Sequence, residues 1–148
     1  MASDTCAITN LLYRYAELMD RGDLPGCAAL FRHANVKVRG SSDMLSEAEL
    51  LRLWRDNVIL YPDGTPRTRH VVTNPIIEMG PDGMSAQVRS YYTVYQATDT
   101  FPLQMIAAGR YHDRVACVDG KWRFTFRDYS MLDMMGDLSA HLKKPVPA

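Results

Sequence analysis

The spacing of apolar residues changes once along the chain, and the change falls at the turn Pro62-Asp63-Gly64. Before this turn, apolar residues recur at intervals of three and four, as they do on the buried face of an α-helix. After it, apolar and polar residues alternate, which is typical of strands with one buried face. Helices followed by a strand meander indicate an α+β fold, in which helices cover one face of a curved antiparallel sheet.

Three helices are predicted before the turn. The first has an apolar stripe from Ile8 to Met19, and the other two are shorter segments that reach Phe31 and Val58. Each has a recognisable boundary, namely a glycine stop, an aspartate N-cap, or a Ser-x-x-Glu capping box. These boundary residues are Gly22, Asp23, and Ser46 with Glu49. A brief extended segment, residues 36–38, lies between the second and third helices.

Four long strands are predicted after the turn, and most of their residues alternate between apolar and polar. They cover residues 68–78, 85–98, 101–118 and 121–131. The segments Gly80-Pro-Asp-Gly83 and Asp119-Gly120 are turn signals between strands. We expect a single domain over residues 1–142, because a chain of 148 residues can bury one hydrophobic core. Residues 143–148 include two prolines and are expected to form a frayed tail.

Composition argues against several classes of protein. The chain has no net charge at neutral pH, so it lacks the basic excess of a nucleic-acid-binding surface. Its three cysteines and four histidines lack CxxC, HxH or HxxxH spacing, so neither a disulfide framework nor a metal site is expected. No apolar run approaches the roughly 20 residues of a membrane span, and the charged N-terminal stretch does not resemble a signal peptide. We therefore expect a cytoplasmic protein with no metal site, nucleic-acid partner or membrane association.

Two residues fit their local positions poorly unless they have a function. His70 opens the first long strand, and its strand face is otherwise largely apolar. A histidine in such a place is either a satisfied core residue or a catalytic base. Asp20 lies at the C-terminal end of the first predicted helix, where the helix dipole disfavours an anion. It is either a turn residue or a carboxylate that meets a positively charged partner.

Three segments carry a resemblance to a known family. They are the helix with Tyr15 and Asp20, the segment Arg69-His70-Val-Val-Thr-Asn74, and Gly120-Lys-Trp122-Arg-Phe124 followed by Arg127. With the order of elements, they resemble the SnoaL-like family, whose cone-shaped fold is shared with nuclear transport factor, ketosteroid isomerase and scytalone dehydratase. The resemblance covers almost the whole chain. The residue spacing is most similar to scytalone dehydratase, bile-acid dehydratase and hexachlorocyclohexane dehydrochlorinase, which are cofactor-free.

The resemblance implies a His–Asp dyad inside the cone, formed here by His70 and Asp20. It also implies that Tyr15 donates to the departing oxygen and that Arg127 stabilises developing negative charge. Tyr15 is alternatively a core aromatic residue. Strict alternation puts Arg127 on the strand face opposite the apolar one, where it would form a salt bridge in solvent or at an interface, unless a bulge moves it to the other face. The second histidine of scytalone dehydratase has no assigned counterpart in this chain, because the position of His112 favours a surface or interface role.

The resulting hypothesis is a cofactor-independent, dehydratase-like carbon–oxygen lyase. Its substrate is expected to be small, hydrophobic, hydroxylated, and cyclic or polycyclic. The predicted pocket walls are Phe31, Trp54, Val72 and Tyr92. Two alternatives are kept open: an isomerase like ketosteroid isomerase, which moves a proton without expelling water, and a non-catalytic module for small-molecule binding or assembly.

Apolar residues on the other face of the long strands predict an oligomer. Tyr91 and Tyr95 alternate with the expected pocket-facing residues and therefore need cover from water. We expect a homo-dimer or homo-trimer that forms through the outer face of the sheet.

Overall fold

The computed structural model describes residues 3–148, which form three helices and six strands. The helices are α1 (Asp4–Arg21), α2 (Leu24–Ala29) and α3 (Glu47–Asn57). The strands are β1 (Asn35–Lys37), β2 (Thr68–Met79), β3 (Ser85–Gln96), β4 (Gln104–Val118), β5 (Lys121–Asp128) and β6 (Leu132–Met135). The architecture is the predicted α+β cone, with N-terminal helices against a curved sheet. None of the helices in residues 3–148 has the length and hydropathy needed to cross a bilayer.

The helix boundaries follow the capping signals in the sequence. Gly22 ends α1 in the left-handed conformation, with φ at 79°, and its N–H donates to carbonyl groups of the last turn. Asp23 caps α2 by accepting a hydrogen bond of 2.9 Å from a backbone N–H three residues further on. In α3, Ser46 and Glu49 each accept from the other's backbone N–H, so the capping box is complete. Asp20 lies in the last turn of α1, two residues before this cap.

The sheet has the strand order β1-β5-β4-β3-β2, and β6 pairs with β4. Neighbouring strands are antiparallel except for β1 and β5. The last predicted strand, 121–131, ends earlier, at Asp128, and β6, which the sequence patterns do not predict, follows it. Asp128 accepts hydrogen bonds from the N–H and the hydroxyl of Ser130, at 3.0 and 2.6 Å. This local turn ends β5 and allows β6 to begin on the other part of β4.

A bulge in β5 decides which of its side chains point into the molecule. Arg114 of β4 pairs with Phe126, whereas Val115 pairs with Phe124, so Thr125 is the extra residue. Without the bulge, Phe124 and Arg127 would lie on opposite faces. With it, both are buried, at 0% and 1% exposure. Arg127 therefore points inward, as the bulged alternative predicts.

The core lies between the helices and the inner face of the sheet, and it is rich in aromatic residues. Phe31 stacks on Phe124 with ring centroids 4.8 Å apart, and Tyr15 meets Phe31 edge to face at 5.9 Å. Several large apolar side chains of β3 and β4 are exposed instead, among them Tyr91 and Met105. The sheet thus has one side packed against the helices and an outer side that retains apolar surface.

Candidate active site

Asp20 reaches from the last turn of α1 to the start of β2 and accepts three hydrogen bonds there. Its Oδ1 lies 2.6 Å from Nδ1 of His70 and 2.9 Å from the hydroxyl oxygen of Thr68. Its Oδ2 accepts from the backbone N–H of His70 at 2.7 Å. The side chains of Asp20 and His70 are each 5% exposed. The predicted contact is therefore present, and the carboxylate is held in one orientation by three donors.

The contact with Asp20 also sets the orientation of the imidazole. An ionised carboxylate only accepts hydrogen bonds, so we assign the hydrogen of the neutral ring to Nδ1. Nε2 is then the basic nitrogen, and it has no hydrogen-bond partner among residues 3–148. A ring held by a carboxylate through one nitrogen, with the other nitrogen free, has the geometry of a general base.

Two concavities reach His70. One is an open groove of about 660 Å³ between α1 and the start of β2, with Glu17 and Arg21 among its bordering residues. The other is a more enclosed cavity of about 340 Å³, which we call the inner cavity. Its lining includes Met19, Trp54, His70, Tyr92, Tyr129 and His141. Enclosed apolar walls with a few polar groups are typical of small-molecule sites, so the inner cavity is the candidate site.

His141 is a second histidine in the inner cavity, and the sequence analysis did not assign it a role. Its ring centroid is 6.4 Å from that of His70. The residue is buried, and its Nδ1 has no hydrogen-bond partner among the described residues. Burial, and then the nearby charge of His70, lower the pKa of His141 to about 4, against a smaller opposing effect of Asp20. His141 is therefore neutral at pH 7 and able to exchange a hydrogen bond with a ligand.

Backbone contacts hold the segment that carries His141. The carbonyl of Ala140 accepts hydrogen bonds from the Tyr61 hydroxyl at 2.6 Å and from the Gln96 side chain at 2.9 Å. The N–H of Ile59 donates to the carbonyl of His141 at 2.9 Å. These bonds tie the C-terminal segment to the chain after α3 and to the end of β3. Because they join residues far apart in sequence, no local spacing around His141 signals its place in the cavity.

Tyr15 and Arg127 are buried inside the cone but are not among the residues that border the inner cavity. The Tyr15 ring lies edge to face with His70 at 6.3 Å, and the guanidinium carbon of Arg127 is 4.4 Å from the Tyr15 ring centroid. Arg127 donates two hydrogen bonds to Asp113, at 2.8 and 2.9 Å, and stacks on Tyr111 at 3.9 Å. Both residues thus form the wall behind His70.

The phenol of Tyr15 stays protonated. Burial first, and then nearby tyrosines, raise the pKa of Tyr15 well above its ordinary value. Tyr111 and Tyr129 lie close to its hydroxyl, but neither meets the geometry of a hydrogen bond.

Of the four predicted wall residues, Trp54 and Tyr92 border the inner cavity. Phe31 lies in the core beside Trp54, with ring centroids 6.4 Å apart, because it stacks on Phe124. Val72 borders the open groove between α1 and β2.

Within residues 3–148, His, Cys, Asp and Glu side chains form no group of three or more that could hold a metal ion. The chemistry that the arrangement offers is proton transfer by an oriented imidazole.

The chain belongs to the SnoaL-like family, because the model of the SnoaL-like domain matches residues 1–128. The matched range includes Tyr15, Asp20, His70 and Arg127, and it ends before His141. No curated protein matches this chain.

Solved structures from several bacteria have the same fold. A protein of unknown function with a cystatin-like fold from Nostoc punctiforme has a TM-score of 0.72 and 21% identity, over 91% of this chain and 96% of that chain. A proposed scytalone dehydratase from Novosphingobium aromaticivorans has a TM-score of 0.71 and 22% identity, over 97% and 92%. A Mycobacterium tuberculosis protein of unknown function has a TM-score of 0.70 and 23% identity, over 88% and 73%. At these identities the likeness shows the fold alone.

Proposed function

We propose that this chain is a cofactor-independent carbon–oxygen lyase that eliminates water from a small, hydrophobic, hydroxylated cyclic or polycyclic substrate. The observation that carries the proposal is the geometry of His70. Its Nδ1 lies 2.6 Å from a buried carboxylate, and its ring borders the enclosed inner cavity. An oriented base beside an apolar cavity supports proton abstraction from a bound carbon acid.

In the proposed reaction, Nε2 of His70 takes a proton from a carbon next to a carbonyl group. The electrons of the broken C–H bond form the new carbon–carbon double bond, and the hydroxyl on the next carbon departs. The imidazolium of His70 gives its proton to the departing hydroxyl, which leaves as water, so the base is regenerated without a co-reactant. Asp20 stabilises the imidazolium while it exists.

His141 supplies a hydrogen bond to the substrate carbonyl in this proposal. Negative charge develops on that oxygen as the proton leaves, so a donor placed there lowers the barrier. A neutral imidazole can serve as such a donor, and the pKa of about 4 keeps His141 neutral over the physiological range.

Tyr15 and Arg127 contribute in this proposal from behind the cavity wall. The Tyr15 ring packs against His70, and the Arg127 cation stacks on Tyr15. We expect these contacts to fix the position of the His70 imidazole.

The alternatives are an isomerase and a non-catalytic module for either assembly or small-molecule binding, and they differ in what they require of the cavity. An isomerase would return the proton to another carbon of the substrate, so no water would be released. An assembly module would have little use for an open volume of about 340 Å³ beside a histidine–aspartate contact. A small-molecule-binding protein would keep the cavity but would not need His70.

The test is dehydration of a panel of cyclic β-hydroxy ketones, followed by the absorbance of the conjugated product. We expect His70→Ala to lower kcat/KM by about 10²- to 10⁴-fold, the usual contribution of a general base. Asp20→Asn should keep the fold and lose most of the activity, because the imidazolium loses its counter-charge. His33→Ala removes an exposed histidine and should change nothing.

Equal turnover by the wild type and His70→Ala would overturn the lyase proposal. Migration of the double bond in a cyclic β,γ-unsaturated ketone, with no water lost from the β-hydroxy ketones, would establish the isomerase alternative. Binding of the ketones without any conversion would favour the binding protein.

A further inference from the structure

The rim of the inner cavity carries two positively charged side chains. Arg39, which follows β1, and Lys144, in the C-terminal tail, both border the cavity. Arg39 is half-buried and Lys144 is exposed, so they lie where the cavity meets solvent. Among the described residues that border this cavity, none is an aspartate or a glutamate.

The guanidinium of Arg39 is largely uncommitted. It donates one hydrogen bond of 3.3 Å to the carbonyl of Leu132. Its other donors form no ion pair with any carboxylate in the part of the chain that the structure describes. The pKa of Asp133, next in sequence to Leu132, is lowered mainly by Arg110, which donates two hydrogen bonds to it at 2.8 and 3.0 Å, and to a smaller extent by the nearby charge of Arg39. A half-buried arginine with free donors is suited to bidentate binding of an anion.

Local packing brings the two cationic segments to the same rim. Pro147 packs over Gly40, and a Cβ atom on that glycine would lie 2.6 Å from Cβ of the proline. Gly40 has φ at 80°, a conformation that glycine adopts without strain. The N–H of Lys143 donates to the carbonyl of Asn57 at 2.8 Å, which anchors the start of the tail. The tail therefore lies against the loop that carries Arg39.

We infer that the ligand of the inner cavity is a carboxylate, with its apolar ring system inside and its carboxyl group at the rim, bound by Arg39 and Lys144. If the carboxylate is also the substrate, the inference rests on the proposed function. The binding of a carboxylate to the cavity does not depend on that function. Apolar walls take up the rings. Because the rim is partly shielded from water, the attraction between guanidinium and carboxylate is stronger there than on an open surface.

The experiment is isothermal titration calorimetry of the full chain with 2-naphthoate and 2-naphthamide, which share one ring system and differ in charge. The wild type should bind the carboxylate at least about tenfold more tightly than the amide, as a charge-assisted bidentate contact gives. Arg39→Gln should remove most of this preference, and Arg39→Lys should keep part of it. Lys144→Gln should reduce the preference less, because Lys144 is exposed.

Arg14→Gln is the matched control, because it removes one positive charge from the exposed face of α1 and leaves the rim intact. Three results would each overturn the inference: no binding of either compound to the wild type, equal binding of the two, or an unchanged preference in both Arg39→Gln and Lys144→Gln. Since Lys144 is on the surface, loss of folding cannot explain its variant's behaviour.

The carboxylate-site inference and the lyase proposal can be refuted independently of each other. If the preference is lost in Arg39→Gln while no β-hydroxy ketone is dehydrated by the wild type, the carboxylate site stands and the lyase proposal falls. If the ketones are dehydrated but the carboxylate and the amide bind equally well, the lyase proposal stands and the carboxylate site falls.

Discussion

Asp20 illustrates how one carboxylate can serve both the fold and the proposed chemistry. It accepts hydrogen bonds from the hydroxyl of Thr68 and from the backbone and ring of His70. Removing the side chain would leave buried donors without an acceptor, at about 1–3 kcal/mol for each group. Truncation at Asp20 therefore mixes a loss of stability with any loss of activity. Asparagine, which keeps the side-chain volume, separates the two better.

His141 should make the stability of the protein fall in mild acid. Its pKa of about 4 in the folded state lies below the ordinary value of about 6.5 that applies to the unfolded chain. The unfolded state therefore binds more protons between these values, so stability that is complete above pH ~6.5 is lost as the pH falls towards 4. The difference corresponds to about 3 kcal/mol at most. His141→Gln should lose less stability than the wild type between pH 7.5 and 4.5 in urea denaturation.

His33→Gln is the control for this measurement, because His33 is exposed. It should follow the wild type over the whole range. An acid loss in His141→Gln as large as that of the wild type would show that other groups govern the acid sensitivity.

At the scale of elements, the bulge in β5 allows a charged residue to enter the aromatic core. Arg127 and Asp113 are paired across β5 and β4, and their side chains are 1% and 0% exposed. Burial opposes the charge of Arg127, but Asp113 more than offsets this and the pKa of Arg127 is raised. Burial also raises the pKa of Asp113, against the opposing charge and hydrogen bonds of Arg127, so the guanidinium depends on its two bonds to this carboxyl group.

Asp113→Ala should be among the most destabilising single substitutions in the sheet. It would leave the Arg127 cation buried without its partner, which costs about 3–5 kcal/mol. Asp133→Ala removes a bidentate partner of Arg110 that is 38% exposed, and it should cost no more than about 1 kcal/mol. The comparison requires urea unfolding of both variants with equal m-values. Similar losses for the two would mean that the buried pair adds no more than a surface pair does.

At the scale of the whole molecule, the outer side of the sheet retains exposed apolar side chains. Tyr91 is 57% exposed, Met105 is 60% exposed, and Met134 and Met135 of β6 are also exposed. Contiguous apolar residues on a sheet face usually mark an interface. A dimer or trimer through this face stays a prediction.

Light scattering at micromolar concentration should give the mass of a dimer or a trimer. Tyr91→Glu should shift the mass towards the monomer, because it buries a charge in the expected interface. Tyr13→Glu introduces the same charge at a tyrosine of α1 that is 45% exposed, and it should leave the mass unchanged. A monomeric wild type would refute the interface.

Local signals in the sequence determined most of the elements. The apolar periods, the cap at Gly22 and the capping box of Ser46 and Glu49 gave the helices, since these interactions join residues within a few positions of one another. The turn at Asp119-Gly120 separated the last two long strands for the same reason. The contact between His70 and Asp20 came from the resemblance to a family, because their spacing of fifty residues carries no physical signal by itself.

Tertiary structure decided which side chains share a space. Local patterns allow Arg127 to lie on either face of β5. The bulge at Thr125, which decides between the two faces, appears only when β5 is paired with β4. His141 and Arg39 have unremarkable sequence surroundings, yet long-range backbone bonds and tail packing bring both to the inner cavity. Periodicity and capping act over a few residues, whereas a cavity is lined by segments that meet only after the whole chain has folded. The sequence alone therefore determined most of the elements and the family, and the tertiary structure decided the composition of the site.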